Sequence, residues 1–216
     1  VVQAALSWGA GQPMFGITPR GPLRILYLQA ENDDGDLVEV RDGVLEGMVD
    51  AGMFSPQEAR LAAQRVIEAR DVVSTGESVG QTLDALLVEY PSDLVILDPA
   101  FSYLGGDASS AADVSHFLRQ VINPVLLKHN AGILIVHHTS KPPRGNEKGE
   151  WKAGEYAYLG TGSAEWANWA RAILAIRSVG SESVFELRAP KRGRRIGWKD
   201  KNGETITTKH IAHSLR

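Results

Sequence analysis

Three apolar stretches of the chain end in residues able to do chemistry. Arg24-Ile25-Leu26-Tyr27-Leu28-Gln29 runs into Glu31, Leu94-Val95-Ile96-Leu97 into Asp98, and Ile133-Leu134-Ile135-Val136 into His137 and His138. Mg²⁺ takes one or two carboxylates and fills its remaining positions with waters and phosphates, so a carboxylate ending a buried strand can hold it on a nucleotide. Asp98 has that form, and so does an Asp that merely caps the turn before Pro99. Glu31 could polarise a water for attack on a phosphoryl group. It could equally be one surface charge in the acidic segment 31–36, favoured by a helix N-terminus. Adjacent residues on a strand point to opposite faces, so one of His137 and His138 could meet a nucleotide at the strand tip. A hydrogen-bonded core histidine fits the same positions, and nothing nearby supplies zinc-ligand spacing.

Cations form the second group. Arg171 precedes the apolar run Ile173 to Ile176, and Lys191, Arg192, Arg194 and Arg195 cluster after another apolar segment. Such clusters mark a solvated face or a phosphate or nucleic-acid patch. Lys141, Arg144, Lys148 and Lys152 lie with Trp151 and Tyr156 in a Gly- and Pro-rich stretch, 140–161. Cations interleaved with aromatics in a long loop suit tracking of a single strand with base stacking. Glu147, Glu150 and Glu155 dilute that charge. The sequence contains no G-x-x-x-x-G-K-[ST] phosphate loop and no G-x-S-x-G elbow.

Helices must separate and position these strands. The spacing of apolar residues predicts helices from Val1 to near Gly9, over 36–50, 56–69, 78–89 and 111–129, and a short one over 164–170. Val72 to Ser74 reads as a short strand, and 133–138 as a buried one. Ile173 to Ile176, Val184 to Leu187 and Thr205 to Ile211 read as C-terminal strands joined by short turns. Strands that are apolar on both faces, alternating with amphipathic helices, imply an α/β fold with a mostly parallel sheet. In such sheets ligands bind at the carboxyl ends of the strands.

The composition narrows the class further. The chain has 216 residues, 43% of them hydrophobic, with 23 Lys+Arg against 26 Asp+Glu and a net charge of −3. That is one domain's length with material for a core, which excludes general disorder. Zero Cys excludes a disulfide scaffold and a Cys nucleophile, and a cytoplasmic setting is expected. No apolar run approaches the roughly 18 to 20 residues of a membrane span. The mild acidity confines any nucleic-acid contact to a local patch.

In order, RILYLQAEND (24–33), DLVILDPAF (93–101), GILIVHHTSK (132–141), GSAEWANWAR (162–171) and FELRAPKRG (185–193) resemble the RecA-type ATPase core. They are most similar to the RepA-like branch of hexameric helicases. The resemblance implies one RecA-like domain over 1–216, with ATP and Mg²⁺ as cofactors. It makes Glu31 the residue that activates the attacking water and Asp98 the Mg²⁺ ligand. His138 couples the γ-phosphate to the DNA-binding loop, and Lys141 follows in the same motif. Arg171 resembles an arginine finger serving the neighbouring subunit's nucleotide, with Lys191 and Arg192 beside the same interface. Lys141, Arg144, Lys148 and Lys152 would contact single-stranded DNA in a central channel. A hexameric ring acting in DNA replication, with replication-initiation proteins as a class of partner, follows from that likeness. In relatives the phosphate loop directly precedes a helix like the one at Val1, so a first strand and phosphate loop are expected upstream of it. Two rivals share these residues: a nucleotide-gated DNA-binding or assembly ATPase that does not unwind, and a non-catalytic assembly module.

Overall fold

The computed structural model describes residues 1–138, 155–158, 160, 162–179 and 183–212. Lys141, Arg144, Lys148 and Lys152, the expected DNA contacts, lie outside the described residues. The chain forms two compact units, one of Val1–Met14 with Thr18–His137 and one of Phe15–Ile17 with His138–Arg216.

The first unit carries a four-stranded parallel sheet. Its strands are β1 (Ile25–Gln29), β2 (Val66–Arg70), β3 (Leu94–Asp98) and β4 (Gly132–Ile135), in the order β2-β1-β3-β4. Every residue of β1 is buried, as a central parallel strand covered on both faces requires. Helix α1 (Val2–Gly9) precedes β1, and between the strands lie α2 (Asp34–Asp50), α3 (Pro56–Arg65), α4 (Glu77–Glu89) and α5 (Ala100–Tyr103). They are followed by α6 (Ala111–His116), a π-helical segment (Phe117–Ile122) and α7 (Asn123–His129). Capping boxes start α2 (Asp33 with Asp36) and α3 (Ser55 with Glu58), and Pro56 opens the first turn of α3.

Four expectations need correction in this unit. The helix expected over 56–69 stops at Arg65, and Val66–Arg70 pairs in parallel with β1 from Ile25↔Val66 to Gln29↔Arg70. The β-branched Val66 and Ile67 gain more from that pairing than from another helical turn. Val72 to Ser74 is not a strand, because the Asp71 carboxylate accepts from the Val73 and Ser74 N–H groups and turns the chain. The helix expected as continuous over 111–129 widens to a π turn just before Pro124, which has no N–H to continue the α-helical ladder. Finally, β4 ends at Ile135, so His137 and His138 follow the strand instead of ending it.

The second unit holds an antiparallel sheet of β5 (Ile173–Ser178), β6 (Val184–Lys191) and β7 (Thr208–Ala212), with β6 in the middle. Leu187, Ala189 and Trp198 form its core, packed by Phe15, Leu174, Ile196 and Ile206. The strand expected from Thr205 begins at Thr208, since the Asp200 carboxylate draws the Asn202 and Glu204 N–H groups into a turn. The short helix α8 is Glu165–Trp169. Among the described residues no helix is long and apolar enough to cross a membrane.

Candidate functional site

Glu31 and Asp98 meet at the carboxyl edge of the parallel sheet. Strands β1 and β3 are direct neighbours, with Gln29 in register with Asp98, and the Ala30 N–H donates to the Asp98 carbonyl over 3.1 Å. The Tyr27 hydroxyl donates to Asp98 Oδ2 over 2.7 Å. Burial first, and then the Asp98 carboxylate, push the Tyr27 phenol far above its ordinary pKa, so it remains a donor. The other carboxylate oxygen accepts no hydrogen bond from the described residues. One anchored carboxylate with an open oxygen suits Mg²⁺, which keeps most of its shell as water and phosphate. No group of three His, Asp or Glu side chains among the described residues could cage a metal.

Gln29 shapes the turn that carries Glu31. Only 2% exposed, its Oε1 accepts from the Glu31 N–H at 2.9 Å and the Asn32 N–H at 3.0 Å. The Arg70 Nε–H donates to the Asn32 carbonyl at 3.0 Å from the neighbouring strand end. Glu31, carried by this turn, is exposed. His137 stands half-buried and edge-on to Phe101, with ring centres 6.2 Å apart, and His138 is exposed.

The second unit gathers the expected cations. Lys191, the last residue of β6, donates from Nζ to the carbonyls of Ala167 at 2.5 Å and Asn168 at 3.0 Å. It therefore caps the final turn of α8, next to Arg171 in the bend before β5. Burial, and then the charges of Arg192 and Arg171, lower the Lys191 pKa, so the three cations form one electrostatic group. Arg171 is exposed and makes no ion pair with the described residues. Arg192 is also exposed, in the left-handed conformation with φ 54°. The structure thus joins Glu31 with Asp98 in one unit and Arg171 with Lys191 and Arg192 in the other.

Two residues of the site escaped the sequence reading. Gln29 had a signal: a polar side chain inside an otherwise apolar buried strand. Tyr27 had none, because an aromatic residue in a strand reads as core.

The solved structure of a RadB recombinase is similar in fold, with a TM-score of 0.55 and 15% identity over 97% of this chain and 80% of that one. The shared architecture is the RecA-like one, a parallel sheet flanked by helices with a separate antiparallel sheet. No curated protein matches the sequence. A profile of the AAA domain family matches residues 1–144 of the 216. With that match over most of its length, the chain belongs to the AAA domain family, a family of nucleotide-binding ATPases.

Proposed function

We propose that the chain is the ATPase core of a RepA-like, ring-forming DNA helicase or translocase. The observation that carries the reading is that Asp98 ends β3 beside the turn that carries Glu31 out of β1, at the carboxyl edge of the parallel sheet. Glu31 orients a water and takes its proton as the water oxygen attacks the γ-phosphorus, and ADP leaves. Asp98, steadied by Tyr27, would hold a Mg²⁺, which when bound would supply charge neutralisation to the phosphate.

Arg171, exposed and without an ion pair among the described residues, is the arginine finger for a neighbouring subunit's nucleotide in this reading, with Lys191 and Arg192 supporting it. His138 relays nucleotide state toward the segment containing Lys141, Arg144, Lys148 and Lys152, which contacts single-stranded DNA. The ring is hexameric, and replication-initiation proteins are its partners.

Glu31→Gln tests the assignment. Turnover should vanish while ATP binding stays within about twofold, since the amide keeps the shape and loses the base. Loss of binding itself would show that Glu31 holds nucleotide. Strand displacement separates the helicase from a DNA-binding ATPase without unwinding. A chain that hydrolyses ATP on DNA yet never separates strands would be the latter.

A further inference from the structure

The turn after β6 builds an arginine-lined pocket that the nucleotide site does not account for. Residues 192–195 fold as a tight turn: the Arg195 N–H donates to the Arg192 carbonyl at 2.8 Å and the Ile196 N–H to the Gly193 carbonyl at 3.0 Å. Gly193 lets this turn lie flat on the sheet, because a Cβ there would meet Thr207 Cγ2 at 2.9 Å and Ala189 Cβ at 3.1 Å. The result is a concavity of about 480 Å³ bordered by Arg188, Arg192, Arg194, Arg195, Thr207 and Thr208. No carboxylate lines it among the described residues. The Arg188 guanidinium is occupied by Glu186, at 2.7 and 3.0 Å. Arg192, Arg194 and Arg195 make no ion pair with the described residues, and the Thr207 and Thr208 hydroxyls make no hydrogen bond with them.

Three guanidinium groups without an acidic partner among the described residues repel one another around one hollow, and Arg192 also sits in a backbone conformation that L residues rarely adopt. Guanidinium forks match phosphate oxygens two at a time, and threonine hydroxyls supply further donors. The volume falls within the range of small-ligand pockets.

We propose that this pocket is a binding site for phosphate groups, held by Arg194 and Arg195 with Arg192, Thr207 and Thr208. A free nucleotide and a nucleic-acid strand both carry that chemistry. Arg192 also belongs to the ATPase reading, whereas Arg194, Arg195, Thr207 and Thr208 do not, so variants at Arg194 and Arg195 test the pocket separately from it.

The test titrates the whole chain with inorganic pyrophosphate and follows the arginine Nε–H signals by NMR, with affinity from calorimetry. Arg194 and Arg195 signals should move together. The double variant Arg194→Gln/Arg195→Gln should bind at least about tenfold more weakly, as expected for loss of charge-assisted hydrogen bonds. Arg194→Lys/Arg195→Lys keeps the charge and loses the fork, and should also weaken binding. Unmoved arginine signals, or full affinity in either double variant, would overturn the proposal. ATP and a short oligothymidylate are then tried in place of pyrophosphate. Whichever reproduces the arginine shifts supports the site and identifies the phosphate source. If neither does, the pocket admits only small inorganic anions and the proposal fails.

Discussion

The Tyr27 hydroxyl and Asp98 Oδ2 lie 2.7 Å apart, across neighbouring parallel strands and at the carboxyl edge of the sheet. This bond fixes one oxygen of the carboxylate and leaves the other without a hydrogen bond from the described residues. Tyr27→Phe removes the donor while keeping the ring. Stability should fall by about 1 kcal/mol. The Mg²⁺ concentration for half-maximal ATP turnover should rise several-fold, because the ligand loses its orientation. An unchanged Mg²⁺ dependence would separate Asp98 from the metal.

Gln29 supports Glu31 through backbone, not through its side chain. Gln29→Ala leaves the Glu31 and Asn32 N–H groups without their acceptor, and should lower unfolding free energy by about 1–3 kcal/mol. The ATPase kcat should drop while nucleotide Kd stays close to that of the parent, since the turn and not the phosphate cradle is disturbed. Denaturant titration and steady-state kinetics on the same preparation read both effects. A weakened Kd with normal kcat would place Gln29 in nucleotide binding.

Lys191 links the last turn of α8 to the end of β6. Lys191→Met removes the donor to the Ala167 and Asn168 carbonyls and also relieves repulsion with Arg192 and Arg171. These effects oppose each other, so the net loss should be about 1 kcal/mol. Amide hydrogen exchange should speed up over 165–170 while the parallel sheet of the other unit keeps its protection. Uniform exchange across the chain would mean that the cap holds nothing in place.

Glu186 provides a pH signature. Its buried carboxylate accepts from Arg188 Nε at 2.7 Å and from Arg177 Nε at 2.6 Å. Those bonds, Arg188 first, hold it below its ordinary pKa of 4.5 against the opposing effect of burial. A depressed carboxylate adds stability that is complete above the unfolded-state value and drains away as pH falls through the folded-state value. Thermal unfolding from about pH 7 to about pH 3 should show Tm falling below about pH 4.5, and Glu186→Gln should flatten that part of the curve. Parallel curves for the two proteins would show that other carboxylates govern acid unfolding.

What the sequence determined by itself follows from period and composition. Strands apolar on both faces demand cover on both faces, so ILYLQ and LVILD could only belong to a parallel sheet with helices around it. Their polar ends then had to lie at one edge, which placed Glu31 and Asp98 together before any coordinates. The C-terminal strands were legible as apolar runs joined by short turns, with edges off by a few residues. What only the tertiary structure decided depends on partners distant in sequence. Val66–Arg70 is a strand because β1 lies beside it, and no local preference announces that. The Tyr27–Asp98 bond joins residues 71 positions apart, and the Lys191–Ala167 bond joins residues 24 apart. The arginine pocket exists because Gly193 allows close approach to Thr207, just before β7. Periodicity reports which face of an element is buried, whereas hydrogen bonds and pockets depend on which element covers it.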